Sequence, residues 1–517
     1  MSSPSDSSVV KSLSSEDNPE DTPVASAGQE MTKLDEVSIV QSQESVMIGE
    51  QQLDQDMIEE NLLAEDPVDH LGVQSASPAV LDEAALLEEG KEEESTAIAG
   101  LVDGQSTETI EDDMFMETAE TAQIDDQSES QFAGYEQDYF QSFTAHEVGR
   151  CSWDKAVKQN YLRGCLWSPD GSCVLTAVNN DGMHVFELPS DLYGVQEVSP
   201  QRPVNLLDSA VHVRETTLVY DYKWYPGMHS SMPETSVWIA SRQHEPIQMW
   251  DAYTGNLRCS YKGYNAVDEV EAALSLTWSL DGAFIYGGYK KSIKTFDVKA
   301  PGREISSFPT KVTASCMTVC PPVSNLLIFG SWSRSITAFS TNSNQTIQVG
   351  NNSRDCSHNA GVTWLRFIPR TNLFASGGRK DNKLMLWDIR SLQKPYHVLE
   401  RSCDTNQRVY FDASPYGEWL GTGSTDGLVR VWNLRDIDAE SKSYRKYDFP
   451  LHRDCCNGIA FHPSRPIVAS TSGQFHPAVS DDSFDQQQQQ PQQTEKPRQE
   501  VENSLTLWWI GKAISEE

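Results

Sequence analysis

The first 140 residues contain no arginine and no cysteine, and only three lysines, Lys11, Lys33 and Lys91, against 36 acidic residues. Their net charge of −33 accounts for nearly all of the −36 of the whole chain. A segment this charged, rich in Ser, Gln and Glu and poor in aromatics, cannot bury enough apolar surface to offset its conformational entropy. We therefore predict that residues 1–138 form a disordered acidic tail. The near-neutral remainder can still carry a basic patch that binds nucleic acid.

The chain has no apolar run of about 18 residues, which a membrane helix needs, and no apolar core of a signal peptide after Met1. All ten cysteines lie after residue 150 without paired zinc-ligand spacing. We expect free thiols in a reducing compartment, no metal site and no membrane partner. A Walker loop, a nucleophile elbow and an HExxH motif are also missing. These absences predict a protein that is not an enzyme and has no cofactor or small-molecule substrate.

What the sequence does contain is a repeated strand ending. Short runs of β-branched and aromatic residues recur between turns, and the last strand of each unit ends on an aromatic anchor. The anchors are Phe186, Trp250, Phe296, Phe339, Trp387, Trp432 and Trp508. Four of the six spacings are 46, 43, 48 and 45 residues, and the other two, 64 and 76, carry insertions. This period predicts an all-β, seven-bladed WD-repeat β-propeller over residues 139–512.

The two ends of the repeat region are expected to meet. The aromatic segment 139–160 is predicted to supply the outer strand of the last blade and so to close the ring. Residues 189–215 are predicted as a first insertion. The segment 475–503, with its glutamine run, is predicted to be a disordered insert within the last blade.

Blade five contains serine, histidine and aspartate, a combination also found in hydrolases. In a WD repeat, these side chains and the tryptophan are expected to form a buried hydrogen-bond network, because an unpaired buried polar group is costly. The residues in blade five are His358, Ser376, Asp381 and Trp387. Blade six keeps Thr422, Asp426 and Trp432 but has no histidine at the matching place. We interpret these residues as structural.

The acid of this network stands six residues before the aromatic anchor, and three adjacent blades have lost it. The position is His244 in blade two, Lys290 in blade three and Ser333 in blade four. Basic and aromatic residues surround these turns, and all the turns are expected at one rim of the ring. They are Arg242, Tyr289, Lys291, Trp332, Arg334, Arg379 and Lys380. Such a surface can neutralise phosphates and stack on unpaired bases, although spacing alone favours ordinary solvated turns around decayed repeats.

Several stretches resemble a known family over about residues 140–512. They are VYDYKWY, IQMWDAYTG, ASGGRKDNKLMLWDIR, TNQRVYFD at Thr405–Asp412 and LWWIG at Leu507–Gly511. They resemble the telomerase Cajal body proteins, WD-repeat proteins of Cajal bodies. The resemblance implies binding of the CAB box in small Cajal body RNAs and telomerase RNA, and delivery of these particles to Cajal bodies and of telomerase to telomeres. It also implies contacts with H/ACA RNP proteins and telomerase reverse transcriptase, and a nuclear location, with some cytoplasmic protein.

From these patterns we predict an RNA-binding surface, with Arg408 added through the TNQR motif. The candidate residues are Arg242, Lys290, Lys291, Trp332, Arg334, Arg379, Lys380 and Arg408. Three alternatives stay open: a protein–protein adaptor without RNA binding, for example in DNA double-strand-break repair; a propeller enzyme; and a reader of chromatin peptides. Ser42 and Ser130, each followed by glutamine, are candidate phosphorylation sites. Because closing seven sheets from both chain ends is slow, we also expect folding to require a cytosolic chaperonin.

Overall fold

The computed structural model describes residues 144–153, 159–215, 217–351, 353, 356–437, 443–476 and 501–514. Most of the predicted tail and insert, including Ser42 and Ser130, lies outside these ranges. The described residues form strands, turns and one 3-10 turn at Ser190–Leu192. None of the described helical segments is long and apolar enough to cross a membrane.

The described strands are numbered here in chain order. They are β1 (His146–Ser152), β2 (Leu162–Trp167), β3 (Cys173–Val178), β4 (Gly182–Glu187), β5 (Asn205–Leu206), β6 (Val211–Arg214), β7 (Val219–Trp224), β8 (Val237–Arg242), β9 (Ile247–Asp251), β10 (Leu257–Tyr264), β11 (Val270–Glu271), β12 (Ser275–Trp278), β13 (Phe284–Gly288), β14 (Ser292–Asp297), β15 (Gly302–Arg303), β16 (Ser306–Pro309), β17 (Ala314–Val319), β18 (Leu326–Ser331), β19 (Ile336–Ser340), β20 (Thr346–Val349), β21 (Val362–Phe367), β22 (Leu373–Gly378), β23 (Lys383–Asp388), β24 (His397–Glu400), β25 (Phe411–Ala413), β26 (Trp419–Thr422), β27 (Leu428–Ile437), β28 (Tyr444–Pro450), β29 (Cys456–Phe461), β30 (Ile467–Ser472) and β31 (Ser504–Trp509).

The strands form seven sheets, the blades of the predicted propeller. Their pairings are antiparallel except those of β5 with β1 in blade seven and of β15 with β10 in blade two. Blade one is β2-β3-β4-β6 and blade two is β7-β8-β9-β10 with β11 added at its edge. Blades three to six are β12-β13-β14-β16, β17-β18-β19-β20, β21-β22-β23-β24 and β25-β26-β27-β28. Blade seven is β29-β30-β31-β1, with β5 added at its edge. The seven-bladed, all-β fold predicted from the repeat is thus confirmed.

The ring closes as the sequence predicted. β1 pairs with β31, from His146 opposite Trp509 to Ser152 opposite Ser504. The predicted first insertion is more structured than expected, because it contains β6 of blade one and β5, which pairs with β1 in parallel. The predicted insert in blade seven also extends too far, since Glu502 and Asn503 are described and buried.

The core consists of seven apolar clusters, one at each junction between neighbouring blades. At the closing junction, Trp509 of blade seven and Phe186 of blade one belong to one cluster. The second strands β3, β8 and β18 are buried along their whole length. Both faces of each sheet are covered by its neighbours, so these strands lack the polar alternation of a sheet that has one face in solvent.

Candidate nucleic-acid interface

One rim of the propeller is formed by the turns between the second and third strands of the blades. Every blade repeats the same antiparallel order, so these turns emerge at the same face as the linkers that enter the following blade. Backbone hydrogen bonds join the two sets of segments. Thr310 N–H donates to Lys291 O over 2.9 Å, and Lys380 N–H donates to Thr405 O over 2.9 Å. The predicted turns therefore share one surface with the interblade linkers.

Four of the predicted basic residues are exposed on this rim. They are Lys290, Lys291, Arg334 and Lys380, in blades three, four and five. None of their side chains forms a hydrogen bond or ion pair with another described residue. Four positive charges on consecutive blades are therefore available to an anionic ligand. We call these four residues the cationic rim.

Two members of the cationic rim have a positive φ angle, which is unfavourable for any residue that has a Cβ. The φ angles are 72° at Arg334 and 45° at Lys380. In blade six, Gly427 has a φ of 80° and stands five residues before the aromatic anchor, as Arg334 does in blade four. A residue with a Cβ in this left-handed region costs about 1 to 2 kcal/mol, a cost that glycine avoids. Costs of this kind are typical of functional positions.

Trp332 and Arg379 border the cationic rim and are half-buried. The backbone of Gly361, at the start of blade five, packs against Trp332, and a Cβ on Gly361 would lie 2.8 Å from Trp332 Cα. This close approach fixes the Trp332 backbone beside Arg334. Tyr289, expected as a second stacking residue, is fully buried with Lys294 Nζ 4.4 Å from its ring centre. It cannot stack on a base from that position.

Arg242 does not emerge at the rim, contrary to the prediction. It is the last residue of β8, is 5% exposed and forms an ion pair with Glu215 and a hydrogen bond to Gln248. Its guanidinium carbon lies 5.4 Å from the ring centre of Trp250. Burial lowers the pKa of Arg242, against a smaller opposing effect of Glu245. The paired and buried side chain supports blade two instead of facing a ligand.

Arg408 lies where the first strands of several blades meet, and it is likewise paired. It donates to Asp221 Oδ1 in blade two and to Ser315 O in blade four, each over 3.2 Å. Burial opposes the charge of Arg408, but Tyr410 and Asp221 outweigh it and raise the pKa. Beside it, burial lowers the pKa of Lys223 to about 8. Arg408 therefore ties blades two, four and six together, and the prediction that it contacts RNA has no support from its position.

Blade five contains the geometry of a hydrolytic triad, yet it is sealed from solvent. His358 Nδ1 lies 2.6 Å from Asp381 Oδ2, and His358 Nε2 lies 2.8 Å from Ser376 Oγ. Trp387 Nε1–H donates to Ser376 Oγ over 2.9 Å. The exposed fraction is 2% for His358 and 0% for the other three residues. A substrate cannot reach the serine, so the arrangement fixes the strands of the blade.

The acid of this network is ionised. Burial opposes the charge of Asp381, but hydrogen bonds from His358 and from the Asn359 and Lys383 backbone amides outweigh it, and the pKa of Asp381 is lowered. Blade six uses other partners at the matching positions. Arg401 takes the place of the histidine and donates to Thr422 Oγ1 over 3.0 Å. Asp426 instead pairs with Arg430 over 2.5 Å, and Trp432 is buried.

Blade seven has a complete network that the sequence analysis missed. His452 Nδ1 lies 3.0 Å from Glu502 Oε1, His452 Nε2 lies 2.7 Å from Ser470 Oγ, and Trp508 Nε1–H donates to Ser470 Oγ over 2.8 Å. Glu502 stands six residues before Trp508, the same offset as in blades five and six. This six-residue offset could have identified Glu502 as the acid of blade seven. The prediction placed Glu502 inside the disordered insert, so the offset was not applied there.

Comparison with known proteins agrees with the repeat and with the resemblance. The family described as "WD domain, G-beta repeat" matches residues 351–388 and 395–433. The chain is 43% identical over 394 residues to the "Telomerase Cajal body protein 1 homolog" of Drosophila melanogaster, across 72% of this chain and 70% of that protein. It is 33% identical over 436 residues to "Telomerase Cajal body protein 1" of Mus musculus, across 81% and 76%.

The human protein of the same name is 36% identical over 374 residues, across 70% of this chain and 66% of the human protein. The similarity thus covers most of both partners, and its length exceeds that of the two WD matches. With the seven-bladed fold, it shows that the chain belongs to the telomerase Cajal body protein 1 family.

Proposed function

We propose that this protein is an RNA-binding WD-repeat scaffold that recognises the CAB box loop of small Cajal body RNAs and of telomerase RNA. The observation that carries the proposal is the cationic rim. Its four exposed cations come from three consecutive blades, at turns where other blades hold an acid or a glycine. The names of the relatives, which link them to telomerase and the Cajal body, supply the class of particle.

The chemistry of the cationic rim suits an RNA loop better than a duplex. Bases in a terminal loop are unstacked and present their edges, whereas the deep groove of an A-form helix hides them. Lys290, Lys291, Arg334 and Lys380 would neutralise loop phosphates, which releases counterions and makes affinity depend on salt. Trp332, half-buried between Arg334 and blade five, offers a face on which one base can stack.

Such a scaffold acts by holding particles together, without chemistry of its own. Bound RNA would bring H/ACA RNP proteins and telomerase reverse transcriptase to the propeller, direct the particles to Cajal bodies and deliver telomerase to telomeres. Folding would depend on a cytosolic chaperonin, because the ring closes only when distant segments meet. Arg150 and Glu502, which form an ion pair at the closure, are 352 residues apart.

The test compares charge reversals on opposite faces of the same blades. One variant combines Lys290→Glu, Lys291→Glu and Lys380→Glu on the cationic rim. The control combines Lys299→Glu and Lys394→Glu, exposed residues that follow the third strands of blades three and five and so lie at the opposite rim. Binding of a labelled CAB box hairpin to the purified full chain is measured at several salt concentrations.

The rim variant should bind the hairpin at least about tenfold more weakly, with a salt slope shallower by about 0.7 for each phosphate that the protein no longer neutralises. The control should bind as the unaltered protein does. Equal losses in both variants would indicate nonspecific attraction to a basic protein and would move the site. Failure of the unaltered protein to bind the hairpin above a scrambled loop would leave a protein–protein adaptor.

A further inference from the structure

A groove opens between blades one and two at the rim opposite the cationic rim. Its lining includes residues that follow the third strands of both blades, Leu188 after β4 and Tyr253 after β9. The buried side chains of Val211 and Met228 form its floor. The connection 189–210, which joins β4 to β6 and contains β5, forms one wall. The groove has a volume of about 970 Å³, enough to hold several side chains of a partner.

The connection that forms this wall is held in place by polar contacts. Arg202 Nε donates to Asp191 Oδ2 over 3.1 Å, and Arg202 Nη1 donates to Val148 O over 2.9 Å. Asn205 Nδ2 donates to Asp191 Oδ1 over 3.1 Å. Long ordered connections between strands are often functional. Because this wall is already ordered, a partner that binds to it loses little free energy in ordering it.

The groove presents apolar side chains to solvent. Leu206 and Leu207 point to opposite sides, because successive residues of an extended chain alternate. Leu207 packs in the apolar cluster of the closing junction, whereas Leu206 is 86% exposed. Tyr193, Val204 and Tyr253 also line the groove and are exposed. Adjoining exposed apolar residues of this kind are typical of a docking surface.

The charged side chains that line the groove are all acidic. They are Glu187, Asp191 and Asp208, and the described lining contains no lysine, arginine or histidine. Asp191 is paired with Arg202. The carboxylates of Glu187 and Asp208 are exposed, and neither forms a hydrogen bond or ion pair with another described residue. The groove is therefore complementary to apolar side chains flanked by positive charges, and it repels the phosphates of RNA.

We propose that this groove docks a segment of a partner protein that carries apolar side chains next to lysine or arginine. The apolar side chains would cover Leu206 and Tyr253, and the cations would pair with Glu187 and Asp208. Because the groove and the cationic rim lie on opposite rims, the propeller could hold a basic protein and an RNA at the same time. The groove shares no residue with the cationic rim, so this proposal does not depend on RNA binding.

The experiment selects binders from a phage-displayed library of random dodecapeptides on the purified full chain. Selected peptides are synthesised with a fluorescent label, and their affinities are measured for the unaltered chain and for variants. Leu206→Ser removes the most exposed apolar contact. A second variant combines Glu187→Lys with Asp208→Lys and reverses the charge of the groove. All four substitutions or pairs are made at exposed positions, where loss of folding is not expected.

The matched controls make the same changes at exposed positions outside the groove. Val267→Ser replaces an apolar residue that is 71% exposed in blade two. Glu400→Lys with Asp404→Lys reverses two exposed acids at the end of blade five. Melting temperatures of all variants are compared first, and binding of the labelled CAB box hairpin is measured in parallel.

Peptides selected on the unaltered chain should be enriched in apolar residues and in lysine or arginine. Leu206→Ser should weaken their binding about tenfold, because they no longer bury that leucine. The groove charge reversal should weaken it at least about tenfold, with a larger loss at low salt. Both controls should bind as the unaltered chain does, and Leu206→Ser should bind the hairpin normally. Selection of acidic peptides, binding that survives both groove variants, or equal losses in the controls would each overturn the proposal.

Discussion

The aromatic residue at the end of the third strand is held differently in two pairs of blades. Blades five and seven use a tryptophan with polar partners, whereas blades three and four use a phenylalanine without them. In blades five and seven the third strand ends in a tryptophan whose N–H donates to a buried serine, Ser376 or Ser470. Each serine contacts a histidine that is held by an acid. In blades three and four the aromatic is phenylalanine, and no donor has to be satisfied. The matched strand positions are Gly287 in blade three and Phe329 in blade four.

The difference shows how a repeat can release a position for binding. A buried tryptophan N–H needs an acceptor. In blades five and seven the accepting serine also contacts a histidine, and an acid holds that histidine. When apolar groups replace both the donor and the acceptor of a buried hydrogen bond, the protein loses little stability. In such a blade the acid in the turn is no longer needed to stabilise the structure. Blade three fills it with Lys290, and blade four places Arg334 next to it.

The largest loss of stability is expected when the buried hydrogen-bond networks of blades five and seven are broken. His358→Ala should leave Asp381 and Ser376 buried without their partner and destabilise the protein by about 3 kcal/mol. His452→Ala should have a similar effect in blade seven. Lys290→Ala, at an exposed turn, should change stability by less than about 0.5 kcal/mol. Denaturant unfolding followed by tryptophan fluorescence measures all three variants.

A fall in stability for Lys290→Ala as large as that for His358→Ala would contradict the comparison, because the turn of blade three would then carry a structural duty. Replacing His358 with Asn, which keeps one donor for Asp381, serves as a graded variant. It should recover part of the stability if hydrogen bonding, and not volume, is responsible.

A smaller loss of stability is expected when the pH is lowered. Asp381 and Glu502 both have a lowered pKa: burial opposes their charge, but hydrogen bonds from His358 and His452 outweigh it. The unfolded chain therefore takes up protons first, near the ordinary carboxyl pKa of about 4. The stability from these acids is complete above that pH and is lost as the pH falls towards the folded pKa values. Glu502→Gln should flatten this loss in melting experiments below about pH 5.

The control for the pH experiment is Glu234→Gln, the same change at an exposed position of blade two. Its melting temperature should fall with acid as steeply as that of the unaltered protein. If Glu502→Gln falls equally steeply, the ionised acid of blade seven does not contribute to stability in this pH range.

The blades were predictable because local strand chemistry repeats, and the partner residues of blade five share one unit of that repeat. The closing strand β1 was also predictable, since the last blade lacked an outer strand in sequence. Contacts across the ring were not predictable from the sequence. Arg408 and Asp221 are 187 residues apart, and no local pattern distinguishes a paired arginine from one at the surface.

The smallest and most discriminating change is Arg334→Gly, which gives blade four the residue that blade six has at Gly427. The left-handed backbone, with φ at 72°, no longer opposes a side chain, so stability should rise by about 0.5 to 1 kcal/mol. RNA affinity should fall a few-fold, with a salt slope shallower by about 0.7, because the protein neutralises one phosphate fewer. Arg334→Lys keeps the charge and the strain and should leave both quantities nearly unchanged. Opposite signs for stability and RNA binding in Arg334→Gly mark a position kept for its ligand, whereas a loss of stability would mean that the arginine supports the turn itself.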